Sequence, residues 1–371
     1  MPKIFLVGGA CRDKLLGREP KDTDFVVVGA DIPWMLSQGF KQVGASFPVF
    51  LHPETGDEYA LARREKKVGI GYKGFEFEFG PHVTLEDDLI RRDLTINSIA
   101  FDQETGEFID PFGGQHDLAQ GIIRHTSEAF AEDPLRVLRV ARFAARYKFK
   151  VADDTVDLCR HLVDQGEIDA LSADRIWMEL EKLMSEDQPS IGIEFLTKVG
   201  ALKTQRLKLV RPVNFKAIFS DSFEASLNLR EKMFFLINTE QSSKELDEQR
   251  IPLNVSRTGA FFTEIFEILM SHMGDDECAE CVVKFFDRFR AEIRSGRLAE
   301  VKELMHKMVT RDDVFQSKQF FEHIVFACDQ LLKLDFTELT RGMKPQDIKS
   351  FVLDFKIKTV KASCEMFECK P

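Results

Sequence analysis

Apolar and polar positions change rhythm once along this chain. Up to about residue 125 the apolar runs are short. Lys3–Val7 and Phe25–Val28 have the length and continuity of buried strands. Glu58–Ala62 alternates, and Phe75–Phe79, reading FEFEF, keeps the period of two of a half-buried strand. Gly-Gly, Asn-Ser and Pro-Phe-Gly-Gly punctuate these runs. Beyond about residue 126 the strand signals stop. Val137, Val140, Ala141, Ala144 and Ala145 recur at helical spacing, and Asp174–Met184 continues the pattern behind a cap at Ser172. Residues 206–371 are helical in character and rich in phenylalanine, which reads as core packing. The periodicity is interrupted at Gln205–Asn214, where Lys, Arg and Pro gather.

A chain of 371 residues exceeds one compact core, so two or three domains are expected. No apolar run reaches the ~20 residues of a membrane helix. The N-terminus, MPKIFLVGGA, lacks the basic start of a signal peptide and reads as a buried strand. A cytoplasmic enzyme with no membrane partner is the expectation. The seven cysteines are odd in number and scattered, against a disulfide framework. Cys278 and Cys281 form a CxxC with no second pair of ligands behind it, so a zinc site is not expected. The net charge of −11 rules out a uniformly basic surface. Any nucleic-acid contact must come from a local cluster.

Two sets of residues carry chemistry. In the first, Gly8-Gly9-Ala10-Cys11-Arg12-Asp13 joins a strand to a helix, and Asp22-Thr23-Asp24 follows nine residues later. Two glycines let backbone amides approach a triphosphate, and Arg12 adds a charge-assisted contact. Asp22 and Asp24, if on a strand, turn both carboxylates to one side, as a pair of Mg2+ ions requires. Taken singly, GG is a turn and DxD a solvated strand start. Together, GGxxRD and DxD resemble the polymerase-β-like nucleotidyltransferase superfamily.

The second set is Arg91-Arg92-Asp93-Leu94-Thr95-Ile96-Asn97-Ser98, then Asp110-Pro111-Phe112-Gly113-Gly114 with Asp117-Leu118, then Glu132-Asp133-Pro134-Leu135-Arg136-Val137-Leu138-Arg139. With the first set, these resemble class II tRNA nucleotidyltransferases, the CCA-adding enzymes and their bacterial poly(A) polymerase relatives, over roughly residues 1–205. Ser98, where many relatives carry alanine, is a small departure. The resemblance implies an α+β fold. A polymerase-β-like head with a small mixed sheet (1–125) would precede a helical neck holding the base template (126–205). A helical, RNA-binding body and tail (206–371) would follow.

The resemblance also implies roles. Asp22 and Asp24 would be catalytic metal ligands for Mg2+. Gly8, Gly9, Arg12, Arg92, Asp93 and Asn97 would hold the sugar and triphosphate, and Arg139 would add a contact. Asp133 and Arg136 would act as an amino-acid template for the incoming base, sharing a helix face three residues apart. Cytosine and adenine both present an exocyclic amine donor beside a ring-nitrogen acceptor. Guanine and uracil present the reverse order, leaving mismatched groups that cost about 1–3 kcal/mol each. A ligand-free Asp133–Arg136 ion pair is the competing reading.

Glu58 is a candidate third carboxylate. The stretch Glu58–Lys67 with Gly69, Gly71 and Gly74 looks like the family's flexible loop, which serves the change from C to A addition. A solvated hairpin is the alternative. Ser172–Glu179 resembles the family's last, supporting motif, with Arg175 and Glu179 spaced for an i, i+4 pair. Arg142 and Arg146 suit either RNA phosphate or neighbouring carboxylates. With Arg139 and the Lys349–Lys361 tail they would form a basic stripe. His272, His306 and His323 lack the acidic neighbours of an HD phosphohydrolase, so no such domain is expected in residues 206–371.

The implied reaction adds C, C and A to the 3′ end of tRNA from CTP and ATP without a nucleic-acid template, releasing pyrophosphate. The partner would be the acceptor stem and T arm of tRNA. An A-adding enzyme and a poly(A) polymerase share the same head and remain alternatives. A catalytically silent RNA-binding protein is the alternative from another class.

Overall fold

The computed structural model describes residues 2–20, 23–43, 49–67, 75–207, 278–300 and 315–368, with single positions at 229, 232, 261 and 303. The chain divides into two compact units, residues 1–216 and 217–371. The expected head and neck both fall in the first.

The first unit is built on a mixed seven-stranded sheet. Its strands are β1 (Lys3–Val7), β2 (Asp24–Val28), β3 (Lys41–Val43), β4 (Val49–Leu51), β5 (Glu58–Leu61), β8 (Ala100–Asp102) and β9 (Glu107–Ile109), in the order β3-β4-β5-β2-β1-β8-β9. β2 and β5 run parallel and the other neighbours antiparallel. Alternation explains how one strand serves two faces. In β1 and β2, Phe5, Val7 and Val26 pack on one face with Leu89 and Val83. Leu6 and Phe25 pack on the other with Ala10, Cys11 and Ile99. The FEFEF run is β7 (Phe75–Phe79), hairpinned with β6 (Arg63–Lys67) as a separate two-stranded sheet. Of the stretch expected as a flexible loop, Glu58–Leu61 and Arg63–Lys67 are strands, the second in this hairpin, and residues 68–74, with Gly69, Gly71 and Gly74, lie outside the described residues.

Among the helices that border the sheet are α1 (Gly9–Leu15), which follows β1 through Gly8, and α3 (Leu85–Ile90). Thr84 caps α3 in a reciprocal capping box with Asp87. Three helices then form the neck: α5 (Leu135–Tyr147), α7 (Ala173–Met184) and α8 (Pro189–Lys198). α5 packs on both α7 and α8. Gly192 permits the close approach of α8, since a Cβ there would lie 2.7 Å from the Ala141 carbonyl oxygen. Ser172 sits at the N-cap of α7 but makes no side-chain cap bond. One short strand, β11 (Lys150–Val151), pairs with β10 (Ile122–Ile123) beyond the point where strand signals were expected to stop.

In the second unit the described helices are α9 (Cys278–Arg294), α10 (Phe315–Lys333), α11 (Phe336–Leu339) and α12 (Pro345–Glu368). Their core holds Phe261, Phe285, Phe286 and Phe289 with Val282, Ile324, Leu331 and Val360, so these phenylalanines pack as core. Among the described residues no helix is long and apolar enough to cross a membrane. His272 and His306 lie outside the described residues.

Candidate active site

β1 ends at Val7, and Gly8 turns the chain with φ +68°, a conformation glycine adopts without strain. A Cβ at Gly8 would stand 3.0 Å from Nη1 of Arg92, so this glycine also lets the arginine pass close over the turn. Asp24 opens β2 beside this turn, register-paired with Val7 on one side and Glu58 on the other. Partners in a parallel pair point to the same face. Asp24 and Glu58 therefore present two exposed carboxylates side by side at the sheet end. Both line an open cleft of about 850 Å3 together with Gly8, Gly9, Arg12, Arg92, Asp93, Asn97, Asp133, Arg136 and Arg139. Asp22 lies outside the described residues. Every other residue expected at the site lines this one cleft.

The cleft wall is a chain of charged hydrogen bonds. Asp93 is buried, and its Oδ1 accepts from the Leu94 amide at 2.9 Å and from Asn97 Nδ2 at 3.0 Å. Its Oδ2 accepts from Arg139 Nε at 2.8 Å and Nη2 at 2.7 Å. Burial pushes the Asp93 carboxyl up. Arg139, Asn97 and Arg136 outweigh it and hold the pKa at about 2. Arg12 donates to Asn97 Oδ1 and to Asp13 at 3.1 Å. Its guanidinium lies 5.4 Å from the Phe143 ring centroid and 5.1 Å from that of Tyr147. Arg12 is thus a buried junction between α1 and α5 as well as a cleft residue.

Arg91 and Arg92 both bind Asp88, one and two positions beyond the end of α3. Burial raises the Asp88 carboxyl, but the two arginines bring it down to about 2. The pair is therefore half-buried and anchored, not a solvated basic pair. The i, i+3 and i, i+4 spacing of Asp88 to Arg91 and Arg92 is a signal the sequence carried.

Three expectations are corrected here. Asp133 does not share a helix with Arg136: α5 starts at Leu135, and Asp133 is extended (φ −123°, ψ 100°). A turn closed by the Arg136 amide on the Asp133 carbonyl, at 3.0 Å, still brings both side chains to the cleft. Asp133 has partners of its own. Its Oδ2 takes Arg175 Nη2 at 2.8 Å and its Oδ1 the Leu135 amide at 3.2 Å. Arg136 donates to the Ala129 carbonyl at 2.8 Å and the Arg91 carbonyl at 2.6 Å.

Second, Arg175 and Glu179 each have a partner outside their own helix: Arg175 Nη2 donates to Asp133 Oδ2 at 2.8 Å. Glu179 is buried against Arg142. Third, the basic stripe loses two members. Arg142 is buried with Glu179 and with its guanidinium over Phe143. Lys356, in the tail, is buried against Asp287.

Asp24 and Glu58 are hard oxygen donors on one face, a set suited to a hard divalent cation. Among the described residues no three His, Cys, Asp or Glu converge into a full cage.

Residues 4–124 match the family model described as the poly A polymerase head domain. Residues 148–205 match the one described as a probable RNA and SrmB-binding site of polymerase A. A multifunctional CCA protein from Neisseria meningitidis serogroup A is 61% identical over 201 residues, 54% of this chain and 48% of that protein. The chain spans about half the length of the multifunctional relatives of this kind. A CCA-adding enzyme from Pseudomonas entomophila is 60% identical over 333 residues, 88% of this chain and 84% of that enzyme. Among solved structures, the Bacillus stearothermophilus CCA-adding enzyme in complex with CTP superposes with a TM-score of 0.64. It is 23% identical and covers 97% of this chain and 88% of its own, a likeness of fold. Nucleotidyltransferases of this kind generally use divalent metal ions.

Proposed function

The chain belongs to the family of CCA-adding enzymes, and from that membership we propose that it adds C, C and A to the 3′ end of tRNA. CTP and ATP are the donors and pyrophosphate is released. The observation that carries the proposal is the charge arrangement of the cleft. Ten arginine and lysine side chains line it against five carboxylates, in a chain whose net charge is −11. Asp88, Asp93 and Asp133 each hold an arginine. The remaining cationic excess suits a triphosphate, and the exposed Asp24 and Glu58 suit a cation beside it.

Arg92, Arg12 and the glycine turn then hold the triphosphate, while Asn97 and Asp93 set the sugar edge. Asp93 acts mainly by orienting Asn97 and Arg139, since the Leu94 amide, Asn97 and Arg139 already crowd its oxygens. Asp133 and Arg136 face the base. Arg175 and the Leu135 amide fix the Asp133 carboxylate, and two backbone carbonyls fix Arg136. A template built from anchored groups accepts the donor–acceptor edge shared by C and A and penalises G and U. Asp22, Asp24 and Glu58 would hold Mg2+. When bound, it lowers the pKa of the attacking 3′-hydroxyl and neutralises charge on the departing pyrophosphate.

The RNA partner is proposed to be the acceptor stem and T arm, read by shape and backbone because A-form RNA hides its base edges. A cytoplasmic setting follows from this substrate. The test offers tRNA lacking CCA, tRNA ending in C and tRNA ending in CC, each with one labelled nucleotide. Stepwise C, C, A addition is expected. Addition of A alone, or long A tracts on unstructured RNA, would replace the proposal by an A-adding enzyme or a poly(A) polymerase.

A further inference from the structure

Immediately before the paired carboxylates Asp24 and Glu58, the two strands are joined by side chains. Thr23 Oγ1 donates to Asp57 Oδ1 at 2.8 Å, and Thr55 Oγ1 donates to Asp57 Oδ2 at 2.6 Å. We propose that the Thr23–Asp57 bond is a strap that sets the position of the metal-binding carboxylates, making Thr23 and Asp57 positioning residues. The inference rests on the metal reading of Asp24 and Glu58 given above.

The geometry supports it from both ends. Asp57 belongs to a turn closed on itself. The His52 amide donates to the Asp57 carbonyl at 3.0 Å, the Gly56 amide to the His52 carbonyl at 3.0 Å, and the Asp57 amide to Thr55 Oγ1 at 3.3 Å. That turn is a fixed anchor at the start of β5. Thr23, by contrast, stands one residue outside the ladder, which begins at Asp24↔Glu58. The entering segment has no ladder bond at Thr23, and a side-chain bond takes its place. Alternation places residues 23 and 57 opposite in direction to residues 24 and 58. The strap can therefore fix the separation of the carboxylates without occupying a ligand position.

Groups that orient metal ligands change metal affinity by about 10- to 100-fold when removed. The full-length protein is titrated with Mn2+, followed by electron paramagnetic resonance of the free ion. The Mg2+ needed for half-maximal nucleotide addition is measured in parallel. Thr23→Val removes the donor and keeps the branched shape. It should weaken Mn2+ binding about tenfold and raise the Mg2+ requirement alike, with an unchanged melting temperature. Thr23→Ser should restore both. Asp57→Ala, at a turn, should reproduce Thr23→Val, and the double variant should be no weaker than either single one. It also carries the test should Thr23→Val not fold. Wild-type Mn2+ affinity in Thr23→Val or Asp57→Ala overturns the strap. Asp24→Asn separates the two failures: if it leaves Mn2+ binding intact, the metal reading itself is wrong, whatever Thr23 does.

Discussion

Arg139 reaches across 46 residues of sequence to Asp93, placing two guanidinium nitrogens within 2.8 Å of one carboxylate oxygen. The contact ties helix α5 of the neck to the segment that follows α3 in the head. Asp93 is buried and Arg139 only partly so. Removing the anion therefore leaves a cation that water can still reach in part. Asp93→Asn is expected to lower the free energy of unfolding by about 1.5–3 kcal/mol, the range for hydrogen bonds to charged groups. Denaturant unfolding measures it.

The same carboxylate, with Asp88, sets an acid limit. Both are held at about 2, below the ordinary value of about 3.9. A depressed native pKa means that the unfolded chain takes up protons first as pH falls. The stabilisation is complete above about pH 4 and is lost as pH drops towards 2. Melting temperature should thus fall through that window in the wild type. The fall should be shallower in Asp93→Asn, although that variant starts lower. Equal slopes would deny Asp93 its share.

Asp24→Ala or Asp22→Ala should abolish nucleotide addition and leave tRNA binding in place. Asp24 sits on an exposed strand end beside Glu58. Nucleotide addition and filter binding on the same preparations check this. Full addition by either variant would remove these carboxylates from the chemistry.

How much of this was legible in the sequence depended on distance along the chain. The strands at Lys3–Val7 and Phe75–Phe79 follow from a local period of two, and the structure keeps both. The Asp88 ladder to Arg91 and Arg92 was equally local and readable. Arg175 shows the limit. Its helical spacing to Glu179 suggested a partner four residues away, yet it also donates to Asp133, 42 residues back. Spacing constrains which residues can meet on one helix. It carries no information on what a second element brings. Arg142 could be read from sequence as meeting either RNA phosphate or a neighbouring carboxylate, and only the packing of α7 decides for the carboxylate, Glu179. Glu58 was a guess from sequence alone, and only strand register sets it against Asp24.

The Arg142–Glu179 pair gives a prediction about stability without function. Both side chains are buried, so truncating one strands the other charge away from water. Glu179→Ala is expected to cost about 3–5 kcal/mol, with salt dependence of tRNA binding unchanged because Arg142 is buried. A Glu179→Ala protein with wild-type stability would show that the pair is dispensable. A reduced salt slope in Arg142→Ala would return Arg142 to the RNA surface.

Base choice is the sharpest test of the cleft, and it must be read as a ratio. Arg136 holds the carbonyls of Ala129 and Arg91, so Arg136→Ala leaves two acceptors without their donor and weakens the fold along with the template. Asp133 makes a lighter structural contribution: its carboxylate accepts a hydrogen bond from the Leu135 amide and pairs with the partly exposed Arg175. Incorporation of U and G relative to C and A, measured at a temperature where every variant is folded, separates reading from folding. In Asp133→Ala and in Arg136→Ala the mismatched edge no longer confronts a buried partner, so the penalty of about 1–3 kcal/mol disappears. Discrimination should then drop about ten- to a hundredfold. Arg175→Ala should act more weakly and in the same direction, because it frees the Asp133 carboxylate to turn without removing it. Arg175→Lys should sit between Arg175→Ala and wild type, since lysine keeps the charge but not the planar geometry. Unchanged discrimination in both Asp133→Ala and Arg136→Ala would mean that the base is read elsewhere in the cleft.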